Sequence, residues 1–465
     1  MELWKHQIDF VNLFQYANEK GLWMDMGVGK TATSILCYDN KTKAEGHHLR
    51  TLVLSPKSTL ENWKREFQKF LSIGDRVLVL SGSTDKRIEQ IKSTKCNIVV
   101  TNHESMSLPR LVTLFSKMPI DMLIVDEVHR FKNPNGVRAK NLIKLSDNIK
   151  YKLVLTGTLV LNGYEDLYNP LRILNKDYVG ENFFAWRKRH FYNMNADKPW
   201  LNFPRYAAKP DAIKYFELLI KTAGVRVEKK DVLDLPPLVR TTHYVDLNER
   251  TFRHYKEMEK GFVTLFQGED KMDAVQADLV VTKMLRLNQI ANGILKGEDG
   301  EILVDTDKEE ALLELLDDLC PAHKVVVWAN FNKAIEAVER VCRGLNLYTC
   351  KVVGGQKAKE RQEQIDLFNN EAKYSVMIAN QAAGGVGIGL QAASYMVYYS
   401  KDYNLEKDLQ SEARAYRGGS ERHESITRID LVTRGTVEED ITEALAKKMT
   451  LQQMVMGMKD KYTKK

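Results

Sequence analysis

Met122-Leu-Ile-Val-Asp-Glu-Val-His129 is the stretch on which the fold turns. Four apolar residues run without a polar break and end on two adjacent carboxylates. A strand with one wet face alternates apolar and polar residues, whereas an unbroken apolar run is buried on both faces, as in a parallel sheet covered by helices. The same grammar appears upstream in Thr51-Leu-Val-Leu-Ser55, Val77-Leu-Val-Leu-Ser81 and Asn97-Ile-Val-Val-Thr101, and downstream in Lys152-Leu-Val-Leu-Thr156. Each run is followed by a polar turn and a segment of helical period. The pattern stops near residue 160 and resumes with Lys324-Val-Val-Val-Trp328, Ser375-Val-Met-Ile-Ala379, Ser394-Tyr-Met-Val-Tyr-Tyr399 and the run from Ile426 to Val432. The expected fold class is therefore α/β, with two parallel-sheet lobes and helical insertions. Leu235-Pro-Pro-Leu238 is the natural linker, because consecutive prolines hold the chain extended and stop a helix. The expected lobes are residues 1–235, with a helical protrusion at about 163–225, and residues 236–465, with a helical insertion at about 245–320.

Composition is consistent with this. A chain of 465 residues is long enough for about three ordinary domains or two large lobes. With 43% hydrophobic and 28% charged residues it is neither disordered nor fibrous. The 69 Lys and Arg exceed the 62 Asp and Glu by 7, a mild excess that suits an anionic partner without requiring one. Cys37, Cys96, Cys320, Cys342 and Cys350 are odd in number and scattered, so neither a disulfide framework nor a zinc knuckle is expected. A reducing compartment follows, and the N-terminus carries no secretory pattern, so a cytoplasmic location is expected. No charge falls between Lys373 and Lys401, a length that could span a membrane. Gly384, Gly385, Gly387 and Gly389, with Asn380, Gln381 and Gln391, argue instead for strand, glycine loop and helix. Capping boxes at Ser58-Thr-Leu-Glu61 and Thr436-Val-Glu-Glu439 are expected to start helices.

The chemistry begins at Met24-Asp-Met-Gly-Val-Gly-Lys-Thr31, which precedes a helical segment. Gly27 and Gly29 let successive amides turn inward on an anion, Lys30 supplies a positive charge for β/γ-phosphates, and the Thr31 hydroxyl suits Mg²⁺. Met24 stands where the usual pattern has its first glycine, so a plain glycine turn is the alternative reading of the loop alone. The carboxylates Asp126 and Glu127 lie at the C-terminal end of their strand, where ligands bind in open α/β sheets. Asp126 would hold Mg²⁺ through its water shell, and Glu127 would deprotonate the water attacking a γ-phosphate. In the second lobe Gln410, Arg414 and Arg417 fall at i, i+4 and i+7 on one helical stripe, as arginines meeting phosphate oxygens would. By spacing alone, a solvated or salt-bridged face accounts for the stripe better, since surface arginine is common. Between Phe183 and Tyr206, aromatics including Trp186 and Trp200 alternate with Arg187, Lys188 and Arg189, which fits either a nucleic-acid surface or a protrusion burying its rings.

Taken in order, these stretches resemble the Swi/Snf-type DNA-dependent ATPases of helicase superfamily two. The resemblance runs through Trp4-Lys-His-Gln7, the glycine loop, Leu52-Val-Leu-Ser-Pro56 with Asn62-Trp63, and Thr101-Asn-His-Glu104. It continues with Asp126-Glu-Val-His-Arg-Phe-Lys-Asn133, Leu155-Thr-Gly-Thr158 and Arg226-Val-Glu-Lys-Lys-Asp231. In the second lobe it takes in Lys324 to Phe331, Ala383-Gly-Gly-Val-Gly387, Asp408-Leu-Gln410, Arg414-Ala-Tyr-Arg417 and Gly435-Thr-Val-Glu-Glu439. The resemblance implies two RecA-like lobes of the P-loop NTPase fold, with ATP and Mg²⁺ in the cleft between them. It implies ATP contacts at Gln7 (adenine), Gly27, Val28, Gly29, Lys30, Thr31, Ala32, Gly387 and Gln410, Mg²⁺ at Thr31 and Asp126, and catalysis by Lys30, Asp126, Glu127, Arg414 and Arg417. The implied partner is double-stranded DNA, met through its backbone at Ser55, Lys57, Asn102, His103 and Gly384. Three positions depart from the family pattern: Leu159-Val-Leu161 before Asn162, Gly389, and Gly418-Gly-Ser420. The implied activity is that of a monomeric duplex-DNA translocase without membrane association, in replication, repair or recombination. The rivals are a strand-separating helicase acting on DNA or RNA and a non-hydrolysing scaffold.

Overall fold

The computed structural model describes residues 3–71, 75–160, 163–196, 206–267, 274–296, 302–304, 307–384 and 388–449. The chain divides into two compact units, the first up to Leu233 and the second from Asp234.

The first unit is built on a seven-stranded parallel sheet. Its strands are β1 (Glu19–Met24), β2 (Thr51–Ser55), β3 (Val77–Val79), β4 (Ile98–Asn102), β5 (Met122–Val125), β6 (Tyr151–Thr156) and, after the small antiparallel pair β7 (Phe191–Asn193) and β8 (Tyr206–Ala208), β9 (Gly224–Val227). The order across the sheet is β3-β4-β2-β5-β6-β1-β9. Alternate residues of the apolar runs enter different cores. Leu52, Leu54, Leu123 and Val125 pack with Met106, Phe115 and Leu142 on one face. Val53, Ile124, Leu153 and Leu155 pack with Phe10, Phe14, Trp63 and Phe67 on the other. Two buried faces explain why these strands read as unbroken apolar segments. The helix Leu60–Phe70 shows the matching helical period, burying Leu60, Trp63 and Phe67.

The second unit carries a six-stranded parallel sheet of β10 (Leu238–Val245), β13 (Val325–Trp328), β14 (Tyr348–Val352), β15 (Tyr374–Ala379), β16 (Tyr395–Tyr398) and β17 (Ile426–Thr433), in the order β10-β17-β16-β13-β15-β14. The remaining strands, β11 (Ile294–Lys296) and β12 (Ile302–Val304), form a separate antiparallel pair. Again both faces are covered: Val325 and Val327 enter one core, Val326 and Trp328 the other. The uncharged stretch after Lys373 resolves into β15, the short helix Gln381–Gly384 and β16. Among the described residues no helix is long and apolar enough to cross a membrane.

Local expectations fare unevenly. Ser58 does not cap a helix, because Lys57–Thr59 forms a 3₁₀ turn and the helix begins at Leu60 without a side-chain cap. Thr436 does cap Val437–Ala446, accepting from the Glu438 amide, but the reciprocal carboxylate is diverted: Glu438, one residue earlier than the expected Glu439, accepts from the Thr433 amide. In the protrusion Trp186 is buried against Tyr168, Phe191 and Phe216, and Arg187 lies 4.0 Å from the Tyr206 ring centre. These rings and this arginine therefore serve internal packing, while Phe184 and Tyr192 remain exposed. Trp200 lies outside the described residues.

Candidate functional site

Parallel strands bring all their C-terminal ends to one edge, and β1, β6 and β5 are consecutive neighbours. With about 4.8 Å between strands, the segments that follow them meet within about 10 Å. The glycine loop after β1, Thr156-Gly-Thr158 at the end of β6 and Asp126-Glu127 after β5 are thus one constellation, although 100 residues of sequence separate Met26 from Asp126.

The loop turns through two left-handed glycines, Gly27 at φ 88° and Gly29 at φ 86°. Gly29 is held to glycine by its left-handed φ, and a Cβ there would also lie 2.3 Å from Gln7 Nε2 and displace that side chain. Gly157 is less constrained, its absent Cβ falling a tight 3.3 Å from the Met24 carbonyl oxygen, so the end of β6 packs closely against the loop. The helix Lys30–Glu45 starts from Gly29 without a side-chain cap. Its first amides have no intrahelical acceptors, and with the helix dipole they make an anion seat. Lys30 Nζ donates to the Met24 and Asp25 carbonyls at 2.8 and 3.0 Å, folding its charge onto the loop. The loop is also fixed from outside: Asp25 donates its amide to the Val227 carbonyl and accepts from the Lys229 amide at 3.0 Å. His6 donates to the Val28 carbonyl at 2.9 Å, and Gln7 Oε1 accepts from the Trp4 amide while Nε2 reaches the Gly29 carbonyl at 3.4 Å. Gln7 is therefore buried against the loop. Thr31 and Ala32 occupy the exposed side of the first helical turn, partly accessible.

Asp126 is buried, and Oδ2 accepts from Ser55 Oγ at 2.8 Å and Trp63 Nε1 at 3.1 Å. Burial, then the neighbouring Glu127 charge, push its carboxyl above the ordinary range, against the pull of Trp63, Ser55 and Lys30. Glu127 adopts φ 48°, ψ 52°, a left-handed conformation that is strained for a residue with a side chain. Its Oε2 lies 3.3 Å from His129 Nδ1 but accepts no hydrogen bond, and that nitrogen is 2.9 Å from the Thr156 hydroxyl. A buried carboxylate oxygen without a donor costs free energy in the resting protein and is free to take a proton or a water.

Three expected nucleic-acid contacts prove to be internal. Ser55 is fully buried and shares its hydroxyl between Asp126 and Thr59. Asn102 accepts from Arg87 and Ser105. His103 donates through Nε2 to the Asp126 carbonyl at 2.8 Å and packs edge-on to Phe131; burial, then the Arg130 charge, depress it to about 3, so it is neutral. Of these, Ser55 and His103 hold Asp126, through its carboxylate and its carbonyl respectively. Lys57 is exposed, as a backbone contact requires, and Gly384 closes its short helix.

In the second unit the helix Leu405–Ala415 ends before Arg417, so the expected stripe is helical only through Arg414. The two arginines nevertheless converge: Arg414 Nη1 and Arg417 Nη1 donate to the Ile388 carbonyl at 3.3 and 3.2 Å. Gln410 is buried and donates to Glu406. Gly387 and Leu161 lie outside the described residues.

The sequence reading missed a buried ion network under that helix. Arg428 in β17 grips Asp408 with two bonds at 2.9 and 3.0 Å and also donates to Glu412 and Asp430, with Tyr398 4.0 Å from its guanidinium. Lys401 pairs with Asp430 at 2.7 Å and Arg240 with Glu412 at 2.8 Å. The only signal for it in sequence is the alternation Arg428-Ile-Asp430, which places two opposite charges on one face of a strand.

The description "SNF2-related domain" matches residues 6–294, and "Helicase conserved C-terminal domain" matches 307–419. The chain is 26% identical to the Chromodomain-helicase-DNA-binding protein 3 homolog of Caenorhabditis elegans, over 98% of this chain and 27% of that protein. It is 27% identical to the ISWI chromatin-remodeling complex ATPase ISW2 of Saccharomyces cerevisiae, over 93% of this chain and 38% of that protein. The chain spans between about a quarter and a half of the length of such curated relatives. The solved Sulfolobus solfataricus SWI2/SNF2 ATPase core in complex with dsDNA aligns over 96% of this chain and 91% of that one, at 22% identity and a TM-score of 0.45.

Proposed function

The chain belongs to the SNF2-related family, and on that premise we propose that it hydrolyses ATP at the edge formed by β1, β6 and β5 and uses the cycle to move along duplex DNA. The observation that carries this reading is the buried pair Asp126-Glu127, one carboxylate held by Ser55 and Trp63, the other with an unsatisfied oxygen, set against an anion-seating glycine loop.

The residues present fit both ATP and Mg²⁺. The amides of the loop and the first helical turn, with Lys30, would take the phosphates, Lys30 exchanging its loop carbonyls for phosphate oxygens. Among the described residues no group of three His, Cys, Asp or Glu forms a metal centre, as suits Mg²⁺ held by one or two side chains together with phosphates. Asp126 and the Thr31 hydroxyl would hold the ion, whose chemistry is to neutralise charge on the β/γ-phosphates. Glu127, with its free oxygen and fixed backbone, would accept the proton of the attacking water. Gln7, pinned beside Gly29, would meet the adenine edge. Arg414 and Arg417, which share the Ile388 carbonyl, would be the residues to meet transition-state charge. Lys57 remains the best-placed side chain for the DNA backbone, a sequence-independent and salt-sensitive contact.

Steady-state ATP hydrolysis measured without nucleic acid and with single-stranded DNA, duplex DNA or RNA tests the reading, with Lys30→Ala as blank. The expected result is strongest stimulation by duplex. Stimulation confined to single strands or RNA would replace translocation with strand separation, and rates equal to the blank throughout would remove the hydrolase.

A further inference from the structure

A cavity of about 290 Å³ opens in the second unit at the N-terminal end of its sheet. Lys324 immediately precedes β13, Ser394 immediately precedes β16, and Arg422 and His423 lie just before β17, so adjacent strand starts deliver these groups to one place. His323, Lys324, Asn369, Ser394, Arg422 and His423 form its polar wall, and no carboxylate lines it. A lysine, an arginine and two imidazoles thus face one hollow.

The donors are partly used and partly spare. Lys324 Nζ is held by the Phe368 and Glu371 carbonyls, which aim it without neutralising it. Burial, then the Arg422 charge, hold its ammonium below the ordinary range, while Glu371 opposes them. Arg422 donates Nε to the Gln391 carbonyl at 3.2 Å, and among the described residues no partner takes its terminal nitrogens. His423 Nε2 donates to the same carbonyl at 2.9 Å, and His323 Nδ1 meets Ser394 Oγ at 3.1 Å, leaving the other ring nitrogen of each for a ligand. Asn369 is fully engaged, bonding the Gly389 carbonyl and the Ala392 amide, and so shapes the wall. Like charges held together are costly, Glu371 offsets only part of that cost at Lys324, and an arriving anion lowers it further. A tetrahedral anion offers acceptors to donors converging from several strand starts, which a carboxylate with two oxygens in one plane cannot do.

We infer that this cavity is a second anion site, distinct from the glycine loop, that binds a phosphate group. The cavity suits one phosphate, carried free or as part of a nucleic-acid backbone. Gln391, whose carbonyl accepts from Arg422 and His423, lies three residues after Ile388, whose carbonyl accepts from Arg414 and Arg417.

The test is calorimetric titration of the full chain with inorganic phosphate at low ionic strength, with Lys30→Ala present to silence the glycine loop. The Lys30→Ala chain is expected to keep one phosphate-binding event. Adding Arg422→Gln should weaken it at least tenfold, and adding Arg422→Lys should weaken it less. His323→Gln, at an exposed position, is an independent second variant with a smaller expected loss. Titration with a short DNA duplex identifies the source. If the phosphate belongs to a backbone, Arg422→Gln lowers duplex affinity and flattens its salt dependence by about one unit. If it is a free anion, only phosphate affinity falls. A Lys30→Ala chain that takes up no phosphate, or takes it up indifferently to both Arg422→Gln and His323→Gln in a correctly folded protein, overturns the inference.

Discussion

Both units bury charge, but they bury it in different ways. Under the helix Leu405–Ala415, three carboxylates, Asp408, Glu412 and Asp430, meet three cations, Arg240, Lys401 and Arg428. At the edge of the first sheet, the buried Asp126 feels the opposing charges of Glu127 and Lys30, and among the described residues one oxygen of Glu127 has no hydrogen-bond donor. The first arrangement is electrically balanced, buried except at the half-exposed Arg240, and it ties β10, β17, the end of β16 and the helix together. The second is unbalanced and strained at φ 48°, a state that persists only where the surrounding structure enforces it. Burial of charge is therefore ambiguous until its partners are counted; the deficit marks the site that acts on a ligand.

The contrast can be broken most directly at Glu127. Glu127→Gln keeps the shape and removes the base, so ATP binding should persist while hydrolysis falls by about 10²–10⁴; normal turnover in single-turnover assays would show that the unpaired oxygen has no chemical role. The balanced network predicts the opposite phenotype. Arg428→Met leaves Asp408 without its cation and reduces Glu412 and Asp430 to their pairs with Arg240 and Lys401, and breaking a buried ion arrangement costs about 3–5 kcal/mol. Urea denaturation should show that loss in a transition of the second unit, with nucleotide binding to the first unit retained in the folded range.

The finest test is Asp126→Asn. Because the folded carboxyl lies above its unfolded value, its contribution to stability is fully present below the unfolded value and is lost as pH rises through the folded one. At neutral pH the carboxylate is thus a burden, and Asp126→Asn should raise stability by about 1 kcal/mol while abolishing hydrolysis. The gain should shrink toward pH 4, and thermal melts across that range would detect it. A variant less stable at neutral pH would place Asp126 with the structural charges.

Most of the fold was legible because two-sided burial writes itself as unbroken apolar runs: Thr51–Ser55 and Met122–Val125 are strands at the expected limits. β9 and β10 were not legible, because four residues such as Gly224–Val227 carry too little pattern, and the largely exposed β10 lacks an apolar face. The glycine loop, the acid pair and the terminal arginines stood out because their chemistry demands rare residue types at fixed spacing. Ser55, Asn102 and His103 were visible as polar residues at strand ends, but their direction was not. A hydroxyl after a strand reads the same whether it faces a ligand or, like Ser55, a buried carboxylate. The network around Arg428 was hidden because its members lie on four separate elements, and only the folded chain brings them together.

The position of β1 has a consequence for how the protein is made. The strand that launches the glycine loop is the first of its sheet to leave the ribosome, yet its neighbours are β6 and β9, and the loop's Asp25 is tied to Val227 and Lys229. About 200 residues must follow before those partners exist, which at about 5–20 residues per second is about 10–40 s of synthesis. Before β6 is made the nascent segment Leu22-Trp-Met24, buried on completion, has neither strand neighbour, and until β9 is made one edge of β1 stays unpaired. The glycine loop, translated after only the helix Lys5–Gln15 and β1, is thus among the last parts of the first unit to be assembled, so a truncated chain ending before Gly224 would carry every residue of the loop without the β9 contacts that hold its shape.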